Sequence, residues 1–139
     1  MQNQYNLLQR EEEREMLDLL ADQTVSSLPW CPLDKGRLAR PYGQSTARSN
    51  ADPIGQQFFS DPDRSIIDAL QDVARHRGIP MAQIAIAWLL TNPVVAAPVL
   101  GMTNPRHLDD AVAAITTTLT EHERHTLTTP YTPRQPTGY

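Results

Sequence analysis

The spacing of apolar positions changes period several times along the chain, and each change marks an element. "MQNQYNL" reads as a short strand. "REEEREMLDLLADQ", residues 10–23, carries acids in its first turn, where the positive end of a helix dipole favours them. Met16, Leu17 and Leu20 then form an apolar stripe, so the segment predicts a helix. "TVSSLPW" predicts a second short strand, ending at Trp30. A turn, "CPLDKGRL", and a loop over residues 40–57 follow. "DPDRSIIDALQDVARHRG" predicts a second helix with Asp61 as N-cap and Gly78 as C-terminal stop. Ile66, Ile67, Leu70, Val73 and Ala74 face inward. "PMAQIAIAWLLTNP" predicts a third helix, apolar on nearly all sides and therefore deeply buried. "VVAAPVL" predicts a third strand whose continuous apolarity implies cover on both faces. The pattern breaks at Gly101. Pro105 opens the helix "NPRHLDDAVAAI", and "TEHERHTL" is a last helix in which Thr120 and Glu123 have capping-box spacing.

Strands alternating with helices imply an α/β fold with parallel strands. Three strands are few for a parallel sheet, which needs both faces and both edges covered. The fold is therefore expected to be part of a larger parallel architecture, or to gain neighbours from a partner.

Composition narrows the function classes. The chain has 139 residues, which suits one domain, and 40% apolar with 20% charged residues suits a globular one. Net charge is −4 and there is no basic tract, so no nucleic-acid partner is expected. The longest apolar run, Ile84 to Leu90, is far short of the roughly 20 residues that span a bilayer, so no membrane span is expected. "MQNQYNLLQREEE" lacks the features of a signal peptide. The single cysteine, Cys31, excludes an internal disulfide and fits a reducing, cytoplasmic setting. His122 and His125 have i, i+3 spacing, but no third ligand lies near in sequence, so no metal is expected. His76, His122 and His125 read as solvated helix residues, and Trp30 and Gly101, taken alone, as a core aromatic and a turn glycine. Most of the 12 prolines punctuate junctions, and the proline-rich end is expected to be mobile, giving a domain over residues 1–130 and a tail over 131–139.

The chemical signal lies in "VLGMTNPRHL". A strand, a glycine turn and a helix start in succession offer backbone N–H groups to an anion.

Four separated blocks, "QNQYNLL", "PWCPLDKGRL", "QIAIAWLL" and "VLGMTNPRHLDDAV", in this order and spacing, closely resemble the C-terminal portion of aldo-keto reductases. That resemblance implies a partial (β/α)8 TIM barrel, with the three strands as the barrel's last three, and a nicotinamide cofactor, usually NADPH. It implies that Gln2 bonds the nicotinamide carboxamide and that Trp30 stacks on its ring. It implies that Cys31, Leu33 and Gly36 line the pyrophosphate; Cys31 stands where relatives usually carry serine, which removes a strong donor. Gly101, Met102, Thr103 and His107 match the loop that receives the adenosine 2′-phosphate, with Asp110 and Ala111 near the adenine. Arg106 is the loop's only fixed positive charge, so preference for NADPH over NADH is expected to be weaker than in relatives. The family's catalytic Asp, Tyr, Lys and His belong to earlier strands, and Tyr5, Lys35 and the histidines fall in the wrong blocks to replace them. The resemblance therefore implies a dinucleotide-binding portion that does not reduce carbonyls by itself. The alternatives are a non-enzymatic dinucleotide-binding or regulatory module, and a fragment that completes a barrel with a missing N-terminal half or a second copy.

Overall fold

A computed structural model describes residues 1–44, 61–102 and 104–133. Five α-helices lie among them: α1 (Met16–Asp22), α2 (Asp61–Arg77), α3 (Met81–Leu90), α4 (Pro105–Ile115) and α5 (Glu121–Thr128). The helix expected over residues 10–23 is split. A 3-10 turn, Glu11–Glu13, precedes α1, and Glu15 breaks helical geometry at φ −145°. The cause is a local competitor: Arg10 holds the Glu13 carboxylate at 2.7 and 2.8 Å, and the Tyr5 hydroxyl donates to it at 2.7 Å.

α3 organises the core. Ile84, Ala85, Ile86, Ala87, Trp88 and Leu89 are all buried, so the expectation from its all-round apolarity holds. It packs against α2, α4 and the turn Asp34–Ala39. Ile66, Ile67, Leu70, Val73 and Ala74 of α2 all face inward, as their spacing predicts. Gly78 ends α2 at φ +66°, a left-handed value that favours glycine, and Ile79 N–H closes back on the Ala74 carbonyl at 3.2 Å. Asp61 is the first residue of α2 rather than a residue before it. α5 carries the expected capping box: Thr120 Oγ1 accepts from Glu123 N–H, and the Glu123 carboxylate accepts from Thr120 N–H at 2.7 Å. Arg77 of α2 then binds Glu123 through Nε at 2.6 Å, tying α5 to α2.

The strands depart most from expectation. Among the described residues the three extended segments meet only at isolated parallel bridges, Gln4 with Trp30, Ser27 with Val95 and Trp30 with Val99. The expected direction is present; continuous strands are not. Proline is one reason. Pro29 and Pro98 lie within the second and third segments and have no N–H to give a ladder. The third segment also carries an extra residue: four steps separate Val95 from Val99, against three between Ser27 and Trp30. Such an offset interrupts pairing as a bulge does. The continuous apolarity of "VVAAPVL" therefore does not mean cover on both faces. Val95 is buried, while Ala96, Ala97 and Val99 are exposed. Most of the loop over residues 40–57, and residues 134–139 of the C-terminal tail, lie outside the described residues. Tyr131 is anchored: its hydroxyl accepts from Arg10 N–H at 3.0 Å and donates to Glu11 at 2.7 Å.

Candidate functional site

The paired segments run in one direction, so the chain leaves all three at the same end. Trp30 sits in the middle of a row, with Gln4 on one side and Val99 on the other. Its N–H donates to the Asn3 carbonyl at 2.9 Å, and Val99 N–H donates to the Pro29 carbonyl at 2.8 Å. Behind the row, Ser27 Oγ donates to Asn3 Oδ1 at 2.6 Å, and both residues are buried. The row therefore has a packed back and an open front. Trp30 is 42% exposed, so a ring that reads alone as a core aromatic stands free on one side. Gln2 is also exposed, but it lies two residues before Gln4, the residue level with Trp30.

Directly after Trp30 the backbone turns into left-handed conformations at Cys31, Asp34, Lys35 and Gly36, with φ of 56°, 45°, 55° and 87°. For the three non-glycine residues this is unusual geometry that surrounding contacts must hold. Asn6 Nδ2 donates to the Cys31 carbonyl at 2.9 Å, and Asp34 N–H returns to the same carbonyl at 3.0 Å. Arg37 then bridges Asp34 and Asp63, donating to the Asp63 carboxylate at 2.9 Å and to Asp34 through Nε at 2.6 Å. Asp63 is wholly buried in the first turn of α2, so this bridge pins the loop to that helix. Gly36 is needed for its φ of +87°, while a Cβ there would make only ordinary contact, at 3.4 Å, with the Arg40 guanidinium. Leu33 is half-buried against the core. Burial, followed by the charge of Asp34, pushes the Cys31 thiol up, so it remains a protonated packing group and not a reactive thiolate.

The second candidate loop begins two residues beyond Val99. Gly101 is exposed, does not adopt positive φ, and a Cβ on it would meet nothing within 4 Å. The backbone does not itself require glycine there. Met102 is half-buried against the core, and Thr103 lies outside the described residues. Asn104 caps α4, its Oδ1 accepting from Arg106 N–H at 3.0 Å, and His107 N–H returns to the Asn104 carbonyl at 3.0 Å. Pro105 has no N–H. The first positions of α4 are therefore capped internally, and an anion here depends on the turn before Asn104 and on side chains. His107 is exposed, Asp110 half-buried and Ala111 buried.

Among the described residues no three His, Cys, Asp or Glu side chains gather as a metal site, and no helix is long and apolar enough to cross a membrane. Tyr5 is buried, and burial reinforced by Glu13 raises its phenol well above the usual range, which suits a structural donor rather than a proton-transfer group.

The Aldo/keto reductase family model matches residues 1–129. The chain belongs to the aldo/keto reductase family. It is 42% identical to versiconal hemiacetal acetate reductase of Aspergillus parasiticus, over 96% of this chain and 40% of that protein. It is 36% identical to a putative aryl-alcohol dehydrogenase of Saccharomyces cerevisiae, again over 96% of this chain and 40% of that one. Two solved structures share its fold. The glycerol dehydrogenase AKR11B4 from Gluconobacter oxydans superposes with a TM-score of 0.76 at 20% identity, over 99% of this chain and 45% of that chain. The thermostable aldo-keto reductase Tm1743 gives 0.65 at 24% identity, over 94% and 39%. The chain thus spans about two fifths of the length of these curated relatives.

Three features escaped the sequence reading. Gln4 gave no signal separating it from Gln2. Asp63 lies 26 residues from Arg37, so nothing local joined them. Asn104 could have been found, because Asn directly before Pro at a helix start is a capping pattern.

Proposed function

We propose that residues 1–130 supply the dinucleotide-binding, C-terminal portion of an NAD(P)H-dependent aldo-keto reductase, as three strand–helix units of a (β/α)8 barrel, with residues 131–139 as a tail. The observation that carries this reading is the parallel row Gln4–Trp30–Val99. It leaves the Trp30 ring open at the end from which the loops Cys31–Gly36 and Gly101–His107 both depart. A flat exposed ring suits a nicotinamide, which supplies hydride when bound. The left-handed loop after it suits a pyrophosphate, and the turn before α4 suits the adenosine phosphate. The family resemblance assigns Gln2 of the first segment to the nicotinamide carboxamide, and Asp110 with Ala111, on α4 beyond His107, to the adenine.

The chain alone is expected not to reduce carbonyls. Its Tyr5 is engaged with Glu13 in the core, and positioned acid–base catalysis typically contributes 10²–10⁴-fold to such a step. Titration calorimetry with NADP⁺, NAD⁺ and 2′,5′-ADP, alongside NADPH oxidation with 4-nitrobenzaldehyde, tests both parts. NADP⁺ and 2′,5′-ADP should bind about equally, and NAD⁺ no more than about tenfold weaker, or roughly 1.4 kcal/mol. Absence of saturable dinucleotide binding removes the reading. Turnover that survives removal of contaminating reductases removes the claim of inactivity.

A second reading, a piece that completes a barrel with a separate N-terminal portion or a second copy, is supported by uncovered apolar surface. Leu28, Trp30 and Val99 are over 40% exposed on the open front, and Leu108, Val112 and Ile115 form an exposed stripe on α4. Size-exclusion chromatography of the chain, alone and mixed with the N-terminal part of a relative, tests it. A lone monomer that ignores that part counts against it.

A further inference from the structure

Trp30 keeps its ring in water, and an exposed ring takes little direction from packing. Its direction has to come from the backbone that carries it. The first segment holds that backbone on both sides. Ahead of the ring, Trp30 N–H donates to the Asn3 carbonyl at 2.9 Å. Behind it, Asn6 Nδ2 donates to the Cys31 carbonyl at 2.9 Å, across 25 residues of sequence. That second bond falls where the chain is strained. Cys31 has φ +56°, carries a Cβ and precedes Pro32, and a residue before proline is pushed toward extended geometry at negative φ. The other donor to this carbonyl, Asp34 N–H at 3.0 Å, belongs to the same turn and does not tie it to the first segment.

Asn6 is built as an anchor. It is buried, and its backbone N–H and C=O exchange hydrogen bonds with Gln9, both at 3.1 Å. Its Oδ1 accepts from Leu8 N–H at 2.9 Å and from Gln9 N–H at 3.0 Å. Nδ2 is the atom that reaches beyond its own turn. An amide accepts at one end and donates at the other, whereas an ionised aspartate of the same shape only accepts. We infer that Asn6 is a positioning residue: it holds Cys31 in its left-handed conformation and so aims the Trp30 ring across the open front. Asn6 acts through the backbone and has no contact with the ligand. This rests on the reading of Trp30 as a nicotinamide platform and adds the residue that sets the platform's angle.

The test is fluorine NMR of the full chain labelled with 5-fluorotryptophan, which gives one resonance for each of its two tryptophans, assigned with Trp30→Phe. Asn6→Asp keeps the acceptor for Leu8 and Gln9. Near pH 8, about four units above an ordinary Asp pKa, it has no proton for the Cys31 carbonyl. The Trp30 resonance should broaden or split, while that of Trp88, buried in the core, stays in place. NADP⁺ should bind about threefold to tenfold weaker, as loss of a stacked platform implies, and 2′,5′-ADP, which has no nicotinamide, within about twofold of the unmodified chain. Glycine takes positive φ freely, so adding Cys31→Gly to Asn6→Asp should restore one sharp Trp30 resonance. An unmoved Trp30 resonance in Asn6→Asp, equal changes at both tryptophans, or a double variant no better than the single one would each overturn the inference. Where Asn6→Asp does not fold, the double variant decides: a folded chain with one Trp30 resonance supports the assignment, and a second failure to fold makes Asn6 a core residue and overturns it. Failure of the unmodified chain to bind NADP⁺ removes the nicotinamide reading, while the resonances still decide whether Asn6 holds the ring.

Discussion

Leu7, Leu38, Ile66, Leu70, Ile84 and Leu89, on the helix side of the paired segments, are entirely withdrawn from water, whereas Leu28, Trp30 and Val99 on the opposite side each keep more than 40% of their surface in it. The same contrast recurs on α4. Ala111 and Ala114 are buried, while Leu108, Val112 and Ile115, spaced four and three residues apart, are 54%, 56% and 72% exposed. One side of the molecule is packed to the standard of a finished core, and the other is apolar without cover. Both sides are encoded by the same kind of residue. Apolar spacing shows which surfaces of an element avoid water, and it is silent on whether the surface that covers them is in this chain.

The difference predicts unequal costs of truncation. Ile84→Ala, in the buried middle of α3, should lower stability by about 3 kcal/mol, because neighbours on every side leave a cavity that cannot collapse. Leu28→Ala removes as many apolar atoms from the open front and should cost less than about 1 kcal/mol. Urea midpoints of the two variants measure this. Equal shifts would mean that the open front is covered in solution, which would erase the contrast between the sides.

The packed side also closes on itself through polar groups. Arg10 lies over the Trp88 ring at 5.5 Å and the Tyr131 ring at 4.9 Å, grips Glu13, and donates to the Thr128 carbonyl at 3.0 Å. It joins the first 3-10 turn, α3 and the segment after α5. Arg10→Ala should cost about 2 kcal/mol, since charge-assisted hydrogen bonds and a desolvated cation–π contact are lost together. It should also free the C-terminal segment to proteases. A stability change without new cleavage near Tyr131 would mean that the segment is held by something else.

The fold was legible where local rules decide it. The inward positions of α2, the all-round burial of α3, the glycine stop at residue 78 and the capping box at Thr120 depend on spacings of a few residues, and all are present. The reading failed where a side-chain competitor or a missing neighbour decides. "REEEREM" follows helix rules until Arg10 and Tyr5 draw Glu13 aside. "VVAAPVL" reads as doubly covered because apolarity does not reveal a missing neighbour. For the candidate site, the order of blocks singles out two loops, but not how they are held. The Arg37–Asp63 bridge crosses 26 residues, and the Arg40–Gly36 contact is a matter of side-chain direction.

A smaller effect belongs to the seam between α2 and α5. Arg77 first, assisted by Thr120, holds the Glu123 carboxyl at about 2, below its ordinary 4.5. A carboxylate with a lowered folded-state pKa contributes stability that is complete above its unfolded value and lost on acidification. The contribution should therefore fade between about pH 4.5 and about pH 2. The pair is near the surface, so on the order of 1 kcal/mol is involved. Thr120→Ala should cost a similar ~1 kcal/mol at neutral pH. In Arg77→Met the acid-dependent loss should be visibly flatter; an unaltered pH profile would take Glu123 out of the account.

The smallest expected change in stability is the one that separates the two sides most cleanly. Trp30 presents a large ring to water, anchored by its backbone between Gln4 and Val99, with its front unpacked. Trp30→Leu keeps the backbone hydrogen bonds to Asn3 and substitutes one exposed apolar group for another. Stability should move by no more than about 0.5 kcal/mol, the range for surface positions. Binding should respond very differently. A leucine offers no flat π-face for a nicotinamide to stack on, and stacked aromatic pairs contribute about 0.5–1.5 kcal/mol beyond buried area. NADP⁺ affinity should therefore fall by about threefold to tenfold, while 2′,5′-ADP, which lacks the nicotinamide, should bind as before. Loss of stability without loss of NADP⁺ affinity would reverse the assignment, making Trp30 part of the core and leaving the open front without a nicotinamide platform.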